Sequence, residues 1–231
     1  ILNEYHRPKY YEKRSADYEK KYKKYKNILL PKITSVKGEV HLFPSASKVQ
    51  FSGTYGMKNK TGMVIDTIHS NFSTNFPYLK YEWSIDNELV ERDSIFGWDM
   101  YVFNPPIMPG DEFFLEFAGE RKRKGFSNSG VDMTVVENGT LIFSSQILPT
   151  FGYDPDRELR QKRTRKKYDL NEKKDPMPNY NDEEGLKNGI LGDDADWVDY
   201  EMIVSTEEDQ IAITPGYLQH EWNENGRRYF H

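Results

Sequence analysis

Five histidines are the first residues to test for chemistry: His6, His41, His69, His220 and His231. No two stand four apart, the spacing that sets a pair of imidazoles on one helix face for zinc. They fall in strand-like runs and near the ends, so each is expected to be structural or solvated. The stretch "DDADWVDYE" offers five carboxylates, Asp193, Asp194, Asp196, Asp199 and Glu201. Their oxygens suit calcium, but a D-x-D-x-D-G loop closed by glutamate is missing. A solvated acidic loop leading into a strand is the expectation. The basic run "RELRQKRTRKK" holds Arg157, Arg160, Lys162, Arg163, Arg165, Lys166 and Lys167. Such a run could face phosphate or an anionic membrane. It lacks the interleaved aromatics of single-strand binders, and the acidic stretch after it supplies an internal partner. It reads as a charged surface helix.

Other chemistries lack their motif. The phosphate loops G-x-x-x-x-G-K-S/T and G-x-G-x-x-G are absent from any strand-to-helix context, and so is G-x-S-x-G. The "FSNSG" at 126–130 reads as a loop. The chain has no cysteine, which excludes disulfides, thiolate metal sites and a cysteine nucleophile. The N-x-S/T triplets at Asn59, Asn71 and Asn138 read as turns. The net charge of −5 gives no general pull toward nucleic acid. No apolar run approaches the ~20 residues of a membrane helix, and no signal peptide is present.

The elements that would position these residues are mostly strands. At 14% aromatic, the 231 residues can build a real core. In "YYEKRSADYEKKYKKYKNILLPKI", Tyr11, Tyr18, Tyr22 and Tyr25 share one helical stripe. Residues 1–31 are expected to form an amphipathic connector helix ending before Pro31. From Lys32 the pattern becomes short alternating runs with turn signals between them. Val36, Val40 and Leu42 share one run, then Val49, Phe51 and Tyr55, then Val64, Ile65 and Ile68. Trp98, Met100 and Val102 alternate, "PPIMPGD" reads as a turn, and Phe113, Leu115 and Phe117 alternate again. Asn138-Gly139 marks another turn. Residues 154–195 read as an irregular charged excursion with a short helix near 156–168. Strand pattern returns at Trp197–Val204 and continues through Ile211 and Ile213. A last hairpin turns at Asn225-Gly226, a strong short-range hairpin signal. The expected fold is therefore mostly β: an antiparallel β-sandwich over 32–231 behind a short N-terminal helix. The chain opens at Ile1 without Met and stops at His231 in mid-strand pattern, so both ends read as cuts from something larger.

The order of these pieces resembles the zinc aminopeptidases of the aminopeptidase N family. Pro215, Gly216, Tyr217 and Leu218 resemble that family's "SNGEL" phrase. Gly226, Arg227, Arg228, Tyr229, Phe230 and His231 resemble its "G-x-R-x-x-H-W/Y" hairpin. In "ILPTFGYDPDREL", Leu148, Pro149, Phe151, Asp154 and Pro155 are similar to "FPCFDEP". The stretch from Phe51 to Ser73 is similar to the family's early strands. The opening segment resembles the connector of a bacterial subgroup fused to transporter-permease membrane segments.

The resemblance implies a saddle-like N-terminal β domain ahead of a catalytic domain. That domain would lie C-terminal to His231 and hold zinc through H-E-x-x-H and a distant Glu. This chain carries neither H-E-x-x-H nor G-x-M-E-N, so it is expected to bind no zinc and to hydrolyse no peptide itself. Its implied partners are the catalytic domain and the peptide substrate the two would share, and not nucleic acid. Membrane attachment through flanking segments and an extracytoplasmic position are also implied. The family places one amine-binding residue in a Q-x-E or Q-x-Q motif ahead of "FPCFDEP". That motif is missing, and Glu137, Asn138 and Gln146 are the residues placed to substitute at the rim of the cleft. An interface on the late strands would leave an apolar patch exposed. The alternative is an extracytoplasmic β-sandwich that captures peptide or carbohydrate beside a transporter. A free-standing enzyme built on a carboxylate pair is a further rival.

Overall fold

A computed structural model of the chain describes residues 6–74, 76–123, 134–173, 179–183 and 197–231. The described residues divide into two compact units, one within 29–151 and 197–231 and the other within 6–28 and 152–183. The opening helix and the charged excursion, far apart in sequence, thus belong to one unit.

The first unit is built from strands. They are β1 (Lys32–Phe43), β2 (Lys48–Lys58), β3 (Ile65–Asn71), β4 (Tyr78–Trp83), β5 (Asn87–Asp93), β6 (Trp98–Ile107) and β7 (Glu112–Lys122). Short β8 (Val135–Val136), β9 (Gly139–Thr140) and β10 (Thr150–Phe151) follow. Then come β11 (Asp199–Glu207), β12 (Glu221–Glu224) and β13 (Arg227–Phe230). A seven-stranded sheet runs β12-β13-β11-β1-β2-β7-β4, and a four-stranded sheet runs β10-β3-β6-β5. Pairing is antiparallel except between β1 and β11. A parallel neighbour needs a crossover, and the chain between Phe43 and Asp199 supplies it.

The expected core phases hold for most strands. Val36 and Val40 of β1, Val49, Phe51 and Tyr55 of β2, and Phe113, Leu115 and Phe117 of β7 are buried together. They face Ile65 and Ile68 of β3 and Tyr101, Phe103 and Ile107 of β6 within one core. One position carries no side chain because its neighbours need the room: a Cβ on Gly53 would lie 2.7 Å from both the Phe117 ring and the Lys37 carbonyl. Two local readings are corrected. In β6 Tyr101, Phe103 and Ile107 join the core cluster; of the alternating set read in sequence, Trp98 is fully buried outside that cluster, while Met100 and Val102 are only half-buried. The two prolines of "PPIMPGD" extend β6, and the turn begins after Ile107. Their missing N–H groups are tolerable where β6 and β3 already lose register.

Asn59 and Asn138 do sit in turns, with Thr61 N–H and hydroxyl both donating to the Asn59 amide oxygen. Asn71 instead ends β3 and is buried. Residues 208–219 form no strand, contrary to the pattern read through Ile211 and Ile213. The last hairpin turns as expected, with Asn225 at φ +50° and Gly226 at φ +70°. Positive φ at both central positions is the type I′ signature.

The second unit is held by charge. Helix α1 (Pro8–Tyr22) buries Tyr18 and Tyr22 but leaves Tyr11 exposed, so the tyrosine stripe packs only at its C-terminal half. Tyr18 stacks on Tyr153, and the Arg157 guanidinium lies 3.9 Å from the centre of the Tyr18 ring. The basic run is not a uniform surface helix. Only 162–167 is α-helical, and Arg165 within it is buried. Its guanidinium donates to both carboxylate oxygens of Glu19 at 2.7 and 2.8 Å, and to the Leu159 and Asn171 carbonyls. Arg160 pairs with Asp156 and Lys167 with Glu12. The internal partners expected of this run therefore come partly from α1.

Candidate functional site

Hairpin β12–β13 extends one end of the large sheet, and its side chains alternate between the two faces. Val204 pairs with Phe230, so Tyr200, Met202, Arg228 and Phe230 share the core-facing side. Among the described residues, none from the four-stranded sheet lines the groove at this end. The irregular segment 208–219 drapes there instead, fastened at several points. Tyr200 and Thr214 hydroxyls lie 3.0 Å apart, and Gln219 N–H donates to the His231 carbonyl. Gln210 Nε2 donates to the Glu137 carbonyl at 2.8 Å.

The result is a groove of about 680 Å³ between this segment, β11 and the hairpin. Its apolar lining comes from Tyr200, Met202, Ile211, Ile213, Tyr217 and Leu218. Ile213 is 93% and Tyr217 92% exposed. Four apolar side chains in eight residues thus remain in water: Ile211, Ile213, Tyr217 and Leu218. A contiguous patch of this kind marks an interaction surface. The expected apolar patch is present, carried by the loop between the late strands and not by the strands themselves.

The charges lining the groove are held internally. Arg228 pairs with Glu221, with Nη2 to Oε1 at 2.6 Å. Glu201 pairs with Lys37 at 3.2 Å and with His231 Nε2 at 3.1 Å. The hydrogen bond and charge of Lys37, and the neighbouring His231, hold the Glu201 carboxyl below its ordinary value. His231 is thus a fastener between β13 and β11.

The opposite face of the same strands carries the nearest approach to a nucleophile arrangement. His41 Nδ1 lies 2.8 Å from Ser205 Oγ, and its Nε2 lies 3.5 Å from Glu39. Ser205, however, is fully buried, and Arg227 also donates to its Oγ at 2.8 Å. A substrate could not reach that oxygen. The cluster fastens β13, through Arg227, to β11 and to the Leu42 carbonyl of β1. Beside it Trp222 and Tyr229 stack at 5.0 Å, and His220 stacks on Trp222.

The positions taken as a cleft rim are scattered in role. Glu137 and Asn138 are exposed at the β8–β9 turn, and Glu137 touches the groove segment only through its main-chain carbonyl. Gln146 lies in the short helix α2 (Ser144–Ile147), where its Oε1 accepts from Phe143 N–H. The structure brings Glu137 to the start of the groove segment and shows no contact of Asn138 or Gln146 with it. Asp193, Asp194, Asp196 and the loop at 126–130 lie outside the described residues. No group of three or more His, Asp or Glu suited to a metal occurs among the described residues, and no described helix is long and apolar enough to cross a membrane. In sequence the groove's apolar residues show only as "IAITPGYL", an apolar run broken by Pro-Gly.

No protein-family model matches the sequence, and no curated protein is significantly similar. Solved structures do match. The M1 zinc metallopeptidase from Deinococcus radiodurans is 11% identical, with a TM-score of 0.45. A two-domain M1 zinc metallopeptidase mutant bound to L-tryptophan is also 11% identical, with a TM-score of 0.47. Each comparison covers 87% of this chain and 38% of the other, so the chain spans under two fifths of those structures.

Proposed function

We propose that this chain is the non-catalytic N-terminal β domain of a zinc-aminopeptidase-like protein, packing on and walling its catalytic domain. The observation that carries the reading is the apolar groove beside the terminal hairpin. It lies on the stretch whose residues, Pro215 to Leu218 and Gly226 to His231, carry the family resemblance in sequence. The exposed Ile211, Ile213, Tyr217 and Leu218 beside it need another apolar element to cover them. The catalytic domain C-terminal to His231 is that element in this reading, and zinc and peptide hydrolysis belong to it. Membrane attachment and an extracytoplasmic position are part of the same proposal and rest on the opening segment's resemblance.

Two measurements test it. The gene beyond His231 is expected to encode H-E-x-x-H with a downstream glutamate ligand, and a stop codon or an unrelated domain there overturns the assignment. Calorimetric titration of this chain with zinc is expected to give no stoichiometric site. A tight one-to-one site would contradict the non-catalytic role.

A further inference from the structure

The solvent side of α1 is cationic along its length. Residues 6–28 hold nine lysines and arginines against three acids, in a chain whose net charge is −5. Lys9, Lys13 and Lys20 recur at spacings of four and seven, one stripe of a helix, with Lys21 beside it. Lys24 continues the stripe in the 3₁₀ turn that follows. All five are exposed, whereas Tyr18, Glu19 and Tyr22 are buried on the other side. Of the three acids, Glu12 and Glu19 are turned toward Lys167 and Arg165, and only Asp17 lies among the lysines, paired with Lys13. The face therefore takes an anion, and its other features narrow which. A protein interface needs an apolar centre, yet no large apolar side chain between Tyr11 and Leu29 is exposed among the described residues. Single-stranded nucleic acid needs open rings, yet His6 stacks on Tyr10 at 3.8 Å and Tyr11 meets both edge-on. Lysine is a point charge, without the fork by which arginine grips one particular phosphate. A row of point charges on a convex helix, with its tyrosines turned inward, suits a plane of anionic headgroups.

We propose that the lysine face of α1 docks peripherally on a bilayer surface rich in anionic phospholipid headgroups. This deepens, and rests on, the reading of the protein as membrane-attached, and it names the lipid chemistry and the residues that meet it. Each lysine at such a surface strengthens binding about fivefold, and the attraction fades as salt rises.

The test is co-sedimentation of the 231-residue chain with vesicles, at low and at physiological salt. One set is phosphatidylcholine alone, the other phosphatidylcholine with equimolar phosphatidylglycerol. Binding is expected to the anionic vesicles only, and to weaken with salt. Lys9→Gln with Lys20→Gln and Lys24→Gln removes three exposed charges and spares the buried Glu19–Arg165 pair. That variant should bind about a hundredfold more weakly. Duplex DNA and polyglutamate are offered in parallel as soluble polyanions. Binding indifferent to bilayer charge, no binding to either vesicle, or full binding by the triple variant overturns the proposal. Tighter binding of duplex DNA or polyglutamate than of anionic vesicles, through these same lysines, overturns the bilayer as the occupant. If the vesicles bind as expected but the gene encodes no membrane segment, the attachment reading fails and the headgroup docking stands. If the gene encodes one and the vesicles do not bind, the docking fails and the attachment reading stands.

Discussion

Removing the guanidinium of Arg165 would leave the Glu19 carboxylate buried without its bidentate partner. Breaking one side of a buried pair costs ~3–5 kcal/mol, so Arg165→Ala is expected to unfold the second unit early, read as faster amide exchange in 152–173. The same network sets a pH dependence. Burial pushes the carboxyls of Glu19 and Glu158 up, but hydrogen bonds outweigh it: from Arg165 and Lys23 on Glu19, from Tyr153 and Lys23 on Glu158. Both end below their ordinary value. A depressed carboxyl stabilises the fold above the unfolded-state value, about 4.3, and that stabilisation is lost as pH falls through the folded one. Urea denaturation should find this unit's stability level from pH 7 to about pH 5 and falling below that, as these carboxyls protonate. The basic run in sequence shows that many cations are present. It cannot show which one is buried, because the partner Glu19 stands 146 residues away.

At the scale of elements, the fold was legible wherever a strand alternates and a turn has its own chemistry. The alternation in β2 and β7 and the Asn225-Gly226 hairpin are of this kind. Three features were not. The core phase of β6 depends on which of two apolar sets the opposite sheet accepts. The continuation through Ile211 and Ile213 follows strand periodicity, but strands also need a hydrogen-bonded neighbour, and those residues have no ladder partner among the described residues. The parallel pairing of β1 with β11 is decided by a crossover more than 150 residues long, which no local pattern reports. Two substitutions test the packing account. Gly53→Ala would push a methyl into the Phe117 ring and the Lys37 carbonyl, and such overpacking costs ~1–3 kcal/mol, measurable by chemical denaturation. Arg227→Met removes charged hydrogen bonds to the Leu42 carbonyl and Ser205, each worth ~1.5–3 kcal/mol, and should raise amide exchange in β13 before the rest of the sheet.

At the scale of the whole molecule, the candidate site emerged from what the β unit leaves uncovered. Beside β11 and the terminal hairpin an irregular loop with exposed Ile213 and Tyr217 lines a groove. The sequence announced an apolar patch near the late strands. It did not announce the groove, because a groove is made by strand β11, the loop and the hairpin meeting in space. The central claim is that this groove is an interface to a further domain of the same protein. Hydrogen–deuterium exchange of 208–219, compared between the 231-residue chain and the full-length gene product, tests it most directly. The account predicts that amides of 211–218 become protected in the full-length protein while those of β2 and β7 stay as they are. Equal exchange of 211–218 in both would contradict it.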